Sequence, residues 1–371
     1  MSDSTDTQTD LQYSEVEQEL RGHVRALLAA RAPQSATLAR TESEQPVDTA
    51  LWRALADELG VTGLAVPEKW GGAGASWRET AVVLEELGRA AAPVPYLGSA
   101  VLATAALLAA EETELLPRVA SGELVAALAV PFATAPRSPF PSSVRQQADG
   151  LLHGTLHLVA DARTAGALLV PALDQDGQPG LYVVTDFTAT PVVSLDMTRP
   201  LADLTLDGTA GRRIAAGDGA VATLEAALAT GAALLASEQL GVAEWALETT
   251  TAYVKERHQF GRPVGSFQAV KHRLADLWVS VAQLRAVARS AAGAAAAGSA
   301  DLPVSAALAQ AFASQIAVVA AEEAVQLHGG IGFTWEHPAH LYLKRAKSAS
   351  IALGTADRHR AALAQLVDLT L

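Results

Sequence analysis

A turn between two helical segments carries residues that could bind an anionic ligand. The stretch RHQFGRPVGSFQ, residues 257–268, begins with the guanidinium of Arg257 and ends with the side-chain amide of Gln268. Such a turn can present a guanidinium, an amide and backbone N–H groups to a single anion. The spacing alone favours a plain helix–turn–helix hinge with a solvated arginine, so a binding role needs support from elsewhere in the chain.

A second candidate is the glycine-rich stretch QLHGGIGF, residues 326–333. Gly329 and Gly330 tolerate positive φ and allow a flat ligand or another chain to approach the backbone, and Gln326 could hydrogen-bond a nucleotide. The alternative is a Schellman-type helix end followed by a buried aromatic turn. The stretch is neither a Rossmann nor a P-loop motif, because no strand precedes it and the glycine spacing differs.

The cysteine and histidine content of the chain gives little support for a thiol or metal site. The chain has no cysteine, which excludes disulfides, thiolate ligands and cysteine nucleophiles. His328, His337 and His340 could suggest a metal site, but nothing nearby in the sequence completes one, so turn and core roles are expected and no metal is predicted.

The amino-acid composition restricts the kinds of partner that the chain is expected to bind. Half of the 371 residues are hydrophobic and 18% are charged, which predicts a large buried core. The net charge of −13 argues against nucleic acid and anionic membrane surfaces. The N-terminal MSDSTDTQTD lacks the pattern of a signal peptide, and the apolar runs are expected to be interrupted before they could span a membrane. We therefore expect a cytoplasmic protein.

The elements that must position these residues follow a helix–strand–helix order. We predict an α+β fold that is mostly α, with a flexible tail over 1–10 and a helical domain over 11–119. A small β-barrel or sandwich domain over 120–216 and a helical bundle over 217–371 follow. Ser76 is a predicted N-cap, Gly329-Gly330 a predicted helix stop, and the last helix should start near 355. The predicted strands are LVAALAV, GLLHGTLHLVA, GALLVPAL, GLYVVTDF and ADLTLDG.

Four stretches, in this order and spacing, resemble the acyl-CoA dehydrogenase family: LWRALADELGVTGLAVPEKWGGAG, LDMTRPLADLTLDG, RHQFGRPVGSFQ and QLHGGIGFTWEHPAHLYLKRA. The resemblance extends from about residue 15 to residue 365. It implies an N-terminal α-domain, a central β-domain and a C-terminal four-helix bundle, in agreement with the composition of the three ranges.

The resemblance also implies FAD at a subunit interface and α,β-desaturation of an acyl-CoA thioester, in which a base removes the α-proton and the β-hydride goes to the flavin. Three residues match the family's contacts to the diphosphate and adenosine of FAD: Arg257, Phe260 and Gln268. A second set matches contacts on the ADP half: Gln326, Gly329 and Gly330. Further cofactor contacts of the family fall on Thr355 and Asp357. Thr355 fits equally well as the N-cap of the final helix, and an acidic Asp357 is unusual beside an anionic cofactor.

The chain departs from the family at the base. The family places its catalytic glutamate at one of two positions, which here are Leu353 and Gly231, so no catalytic residue is identified. Glu238 and Asp357 are the nearest acids; we expect Glu238 to be a helix-surface charge and Asp357 a cap or cofactor-side residue. The β-domain also lacks the family's acidic and aromatic residues against the flavin ring, although Thr134 could supply a hydroxyl.

These departures suggest a subunit that shares its FAD with a homologous, base-carrying partner, in a heterotetramer that is a dimer of dimers. The resemblance implies an electron-transfer flavoprotein or similar acceptor, and LDMTRPLADL is similar to heteromeric enzymes that act on bulky acyl-CoAs such as sterol side chains. The alternatives are a self-sufficient homo-oligomer with a relocated base, a non-catalytic scaffold and a protein that only binds CoA.

Overall fold

A computed structural model describes residues 11–369, so the predicted tail over 1–10 lies outside the described residues. The N-terminal part is helical as predicted. Ser76 caps α4 by accepting a hydrogen bond from the N–H of Arg78, and Glu79 completes a capping box. A π-helical stretch, Tyr96–Ala103, runs directly into α5. The helices here are α1 Glu15–Arg31, α2 Gln34–Thr41, α3 Thr49–Asp57, α4 Trp77–Arg89, α5 Thr104–Ala109 and α6 Leu116–Ala120.

The central part is one eight-stranded sheet with the strand order β6-β7-β3-β2-β4-β5-β8, and β1 pairs in parallel with β4. The five predicted strands are present, as β1, β3, β4, β5 and β7. Three short strands, β2, β6 and β8, were not predicted, because they lack a sustained apolar alternation. The strands are β1 Ala126–Leu128, β2 Val144–Gln146, β3 Leu152–Ala160, β4 Ala167–Leu173, β5 Pro179–Val184, β6 Thr188–Val192, β7 Leu201–Thr209 and β8 Arg212–Ala216.

The C-terminal part is a bundle in which α7 and α9 pack against each other and against α8. Gly329 ends α9 with φ +63°, and Thr355 caps α11, so both predicted boundaries are confirmed. A two-stranded ribbon, β9 His258–Gln259 with β10 Arg262–Pro263, fills the connection between the first two helices. The helices are α7 Asp218–Glu256, α8 Gln268–Ala296, α9 Leu302–His328, α10 Ala339–Ala349 and α11 Ala356–Leu366.

Two bundle helices are more apolar than expected from the sequence. Each of α7 and α9 contains an 18-residue window of mean hydropathy 1.6, long enough by length and composition to cross a membrane. The expectation that charges and glycines interrupt every such run is therefore wrong. In the bundle 72% of the α7 window and 56% of the α9 window is buried, so helix packing uses most of this apolar surface.

Candidate functional site

The two candidate stretches meet in one cleft. Its lining includes Arg257, Gln326, Gly329 and Gly330, and its volume is about 640 Å³. Arg257 follows the last residue of α7, while Gln326 lies in the last turn of α9, so the packing of these two helices brings the stretches together. Among residues 11–369 no carboxylate pairs with the exposed Arg257 guanidinium. An unpaired cation beside a glycine turn is suited to a phosphate-bearing ligand.

The sequence did not single out His328 as a ligand-binding residue, yet it lies in this cleft. His328 is 3% exposed; its ring stacks on the ring of Tyr253, with centroids 4.4 Å apart, and packs at a tilt against the ring of His337, with centroids 4.3 Å apart. Nδ1 lies 2.6 Å from the carbonyl oxygen of Ala324, one turn back in α9. Burial lowers the pKa of His328 despite this hydrogen bond, so the imidazole is neutral at pH 7.

The remaining matched residues do not line this cleft. Phe260 is 90% exposed in the β9–β10 turn, with φ +55°, and Gln268 is the exposed first residue of α8. Thr355 accepts a hydrogen bond from the N–H of Arg358 as the N-cap of α11. Asp357, with a side chain 92% exposed, pairs with Arg360 on the same helix. Within this single chain the structure therefore assembles only part of the set.

Leu353 and Gly231, the two positions that the resemblance matched to the family's base, are neighbours in the structure. A Cβ atom on Gly231 would lie 3.2 Å from Cδ1 of Leu353 and 2.3 Å from Cδ2 of Leu102, which lies on the π-helical stretch. Leu353 is 1% exposed and Leu102 5% exposed. Two leucine side chains therefore fill the volume next to both positions, and neither leucine nor glycine can accept a proton.

The segment that follows β1 also contacts Leu353. The carbonyl oxygen of Phe132 accepts a hydrogen bond of 2.8 Å from the N–H of Leu353, and the Phe132 ring is 6% exposed. Leu353 is held at φ +53°, in the left-handed region that leucine rarely adopts. The Thr134 hydroxyl, which was expected to offer a hydrogen bond, is on the half-buried turn that follows Phe132.

Glu238 is not the helix-surface charge that we expected from the sequence. Its carboxylate is 1% exposed and lies between Arg199, at 2.5 Å, and Arg345, at 3.0 Å. Burial by itself would raise the pKa of Glu238, but the two guanidinium groups outweigh it and lower the pKa to about 2. The expectation failed because Arg199 and Arg345 lie far from Glu238 in sequence. A carboxylate held in this way is a poor base.

The histidines do not form a metal site in the part of the chain that the structure describes. No group of three or more histidine, cysteine, aspartate or glutamate residues within 11–369 has an arrangement suited to a metal ion. The rings of His328 and His337 instead pack against each other at an angle of 45°, and the ring of His340 packs edge-on against Trp335 at 4.8 Å.

Known proteins match nearly the whole chain. The family model "Acyl-CoA dehydrogenase, N-terminal domain" matches residues 14–123, and "Acyl-CoA dehydrogenase, C-terminal domain" matches residues 217–367. Acyl-CoA dehydrogenase IpdE2 of Mycobacterium tuberculosis is 38% identical over 337 residues, which cover 91% of this chain and 92% of the relative. The Mycolicibacterium smegmatis IpdE2 is 40% identical over 344 residues, which cover 92% and 95%.

Solved structures agree in fold over the same length. The ChsE4-ChsE5 complex from Mycobacterium tuberculosis superimposes with a TM-score of 0.86 at 30% identity, covering 98% of this chain and 100% of that chain. A Tcur3481-Tcur3483 steroid ACAD variant gives a TM-score of 0.84 at 34% identity, covering 95% and 98%. Both domain models and these relatives show that the chain belongs to the acyl-CoA dehydrogenase family, whose members are FAD-dependent oxidoreductases acting on CH–CH bonds.

Proposed function

We propose that the chain is one subunit of an acyl-CoA dehydrogenase that shares its FAD with a homologous, base-carrying partner. One observation carries this proposal: both base positions are apolar and packed, while the cleft suited to a nucleotide diphosphate is assembled and open. A chain that kept the nucleotide contacts without the proton acceptor would need a second chain to complete the reaction.

The cleft fits the nucleotide half of FAD by the chemistry of its lining. Arg257 would pair with the diphosphate, the backbone at Gly329-Gly330 leaves room for close approach, and the Gln326 amide would hydrogen-bond the nucleotide. Phe260 and Gln268 are proposed contacts from the connection between α7 and α8, and Thr355 and Asp357, at the start of α11, are proposed as further cofactor contacts. Bound FAD supplies the acceptor for the hydride that leaves the β-carbon of the acyl group.

The surroundings of the cleft support a protein partner. Phe333 is 88% exposed and Trp335 is 70% exposed, both shortly after the glycine turn, and Phe260 in the β9–β10 turn is 90% exposed. Exposed aromatic side chains at this density are typical of protein interfaces. The similar ChsE4-ChsE5 structure is a complex of two proteins, and the similar steroid ACAD variant is named Tcur3481-Tcur3483, which supports a heteromer for this chain as well.

We further propose a heterotetramer built as a dimer of dimers, an electron-transfer flavoprotein or similar protein as the acceptor, and a cytoplasmic location. The ranges 11–119, 120–216 and 217–371 are our proposed domains. Family membership supports the acceptor, and the net charge of −13 agrees with the location.

A homo-oligomer with a relocated base is less well supported. Glu238 is held between two arginines, and Asp357 is a solvent-exposed first-turn residue that pairs with Arg360. Glu238 is inaccessible and its pKa is lowered, and Asp357 is already engaged with Arg360 on the helix surface, so neither carboxylate is placed to remove an α-proton.

The test is the amount of FAD bound per chain. The chain is purified alone and together with its acyl-CoA dehydrogenase homologue, and flavin absorbance is compared with protein concentration. We expect about one FAD for two chains in the mixture and little in the chain alone, with flavin bleaching on addition of an acyl-CoA from a panel of straight-chain and steroid-derived thioesters. Full flavin occupancy and turnover by the chain alone would contradict the proposal.

A matched pair of variants tests the cleft. Arg257→Ala should lower the FAD content of the mixture, because the diphosphate loses its cation, by about tenfold or more in affinity. Arg118→Ala is the control, since Arg118 forms an exposed pair with Glu123 in the N-terminal part. Unchanged flavin in Arg257→Ala alongside an active mixture would instead favour the scaffold interpretation.

A further inference from the structure

Five charged side chains are buried together where the β-domain contacts the bundle. They come from the turn after β3, from the segment before β7 and from the helices α7 and α10: Asp161, Asp196, Arg199, Glu238 and Arg345. Each is between 1% and 3% exposed. With every group ionised, the cluster would carry three negative charges and two positive ones, and a net charge away from water is costly. One carboxyl group of the cluster is therefore a candidate to hold a proton.

Asp161 is the carboxyl group of this cluster with the weakest contact to a cation. Glu238 pairs with both guanidinium groups, and Asp196 lies 3.6 Å from Arg345. Asp161 forms no ion pair with any residue from 11 to 369. Burial raises the pKa of Asp161 to about 6, although the two guanidinium groups act in the opposite direction. The proton of the cluster therefore belongs on Asp161.

The carboxyl group of Asp161 lies directly against the π-helical stretch Tyr96–Ala103. A Cβ atom on Gly98 would lie 2.3 Å from Oδ2 of Asp161, so the carboxyl oxygen occupies the space that a side chain at this position would need. The stretch itself has no charged residue. Its one ionisable group, the Tyr96 phenol, donates to the carbonyl oxygen of Val61 at 2.8 Å, and burial raises the pKa of Tyr96 and keeps it neutral.

The same stretch packs beside the two positions matched to the family's base. Leu102 lies one turn after Gly98, and its side chain is 2.3 Å from where a Cβ atom on Gly231 would lie. Because Gly98 and Leu102 belong to one continuous helix, a movement that lets water reach Asp161 also disturbs the packing at Gly231 and Leu353. The charge state of Asp161 is thus coupled to the packing of this part of the core.

We propose that Asp161 forms a pH-sensitive contact between the β-domain and the π-helical stretch, which is tightest when its carboxyl group carries a proton. The protonated cluster is neutral, and the stretch stays packed. Loss of the proton leaves a net negative charge in the cluster, so a local opening that hydrates Asp161 becomes more favourable. The proposal does not depend on the bound cofactor or on the partner.

The direction of the pH dependence follows from proton linkage. In the packed state the pKa of Asp161 is raised to about 6, whereas a hydrated aspartate has its ordinary value of 3.8. The packed state therefore binds the proton more tightly than the open state. Opening becomes easier as the pH rises from about 4 to about 6, and it levels off above that range.

The test is hydrogen–deuterium exchange of the purified full chain at pH 5.5 and pH 7.5, with each rate corrected for the intrinsic rate at that pH. Peptides that cover Tyr96–Ala103 report the local opening. We expect their protection factors to fall about fourfold from pH 5.5 to pH 7.5 in the wild-type chain.

Two variants separate the Asp161 carboxyl group from other effects of pH. Asp161→Asn keeps the shape but cannot ionise, so protection of the stretch should be the same at both pH values. Asp276→Asn is the control, since Asp276 is an exposed residue of α8, and it should show the same fall as wild type.

Titration of the wild-type chain gives a second measurement that needs no variant to fold. In ¹³C NMR of aspartate-labelled protein, one carboxyl carbon should titrate near pH 6. Titration of every aspartate below about pH 5 would overturn the proposal. Constant protection of the stretch in wild type, or an equal fall in wild type and Asp161→Asn, would overturn it as well.

Discussion

Leu353 lies where the resemblance places a catalytic base, but its side chain packs in the core and has no acid–base chemistry. It is held at φ +53°, where leucine is strained by roughly 1–3 kcal/mol, and its buried side chain faces Leu102 and the α7 backbone at Gly231. Burial of a leucine side chain stabilises by about 1.5–3 kcal/mol, which is enough to offset that strain. The position that the resemblance matched to the catalytic base is thus part of the core.

A charge at this position should be poorly tolerated. Leu353→Glu places a carboxylate among leucine side chains, and burial raises its pKa above the unfolded value of about 4.3. The pH-dependent part of the penalty vanishes well below that pH, where both states are protonated, and it grows as the pH rises. At pH 8 we expect a loss of about 3 kcal/mol or more in the free energy of unfolding.

Urea denaturation at pH 5 and pH 8 measures this loss, and Leu353→Gln is the uncharged control with the same shape. The glutamine variant should show no such pH dependence. Equal stability of the glutamate variant at both pH values would mean that this volume admits water or a counter-charge.

Glu238 contributes stability through a buried ionic cluster. It bridges Arg199, from the β-domain, and Arg345, from α10, and Arg345 also donates to the Thr198 hydroxyl at 2.8 Å. Glu238→Gln would leave the buried Arg199 guanidinium without its carboxylate and Arg345 with only Asp196, at 3.6 Å, for an expected loss of about 3 kcal/mol at pH 7. Glu322→Gln, which removes the exposed pair with Lys347, should change stability by less than about 1 kcal/mol.

The pH dependence of the stability of the wild-type chain shows in which direction Glu238 contributes. The pKa of Glu238 is lowered to about 2, so its contribution is present above the unfolded pKa and is lost as the pH falls toward 2. Burial raises the pKa of neighbouring Asp161 to about 6, so that group acts in the opposite direction between about pH 4 and 6. A difference between wild type and Glu238→Gln that stays constant down to pH 2 would rule out the ionic origin.

At the level of elements, the cleft lies at the C-terminal ends of two helices, and the helix dipole at a C-terminus disfavours an anion. The C-termini of α7 and α9 carry partial negative charge from their unpaired carbonyl groups. Binding of a diphosphate there must therefore rely on the Arg257 guanidinium and on the backbone after Gly329. This is the physical reason to expect a larger effect from Arg257→Ala than a typical surface arginine gives.

The start of α11 provides a test of the two roles left open for Thr355. As an N-cap, its side chain accepts from the N–H of Arg358, so Thr355→Ala should destabilise the chain by about 1 kcal/mol. Thr355→Ser keeps the cap and should be nearly neutral in thermal unfolding. If serine preserves stability while FAD content of the mixture falls, Thr355 contacts the cofactor in addition to capping the helix.

At the level of the whole molecule, the exposed aromatic side chains that follow the glycine turn should govern assembly. Phe333→Glu adds a charge to the proposed partner surface and should weaken association by about tenfold or more without unfolding the chain, because the residue is 88% exposed. Val193→Glu, at a position 98% exposed in the β-domain, is the control. Light scattering of the mixture measures both, and equal assembly of the two variants would place the interface elsewhere.

The sequence by itself determined the local elements. The Ser76 cap, the end of α9 at Gly329 and the break between α7 and α8 depend on residues within a few positions of one another, so pattern and turn chemistry were sufficient. The resemblance of four ordered stretches also gave the family, which both domain models confirm. The short strands β2, β6 and β8 were missed because their pairing with neighbours, more than their own pattern, makes them strands.

Only the tertiary structure decided the contacts between distant segments. It placed Leu353 beside Gly231, enclosed Glu238 between Arg199 and Arg345, and brought His328 into the cleft with an unpartnered nitrogen. A side chain's charge state and role depend on which groups surround it, and those groups come from other elements. The physical reason is that burial and Coulomb interactions act through space, while a pattern in the sequence reports only neighbours along the chain.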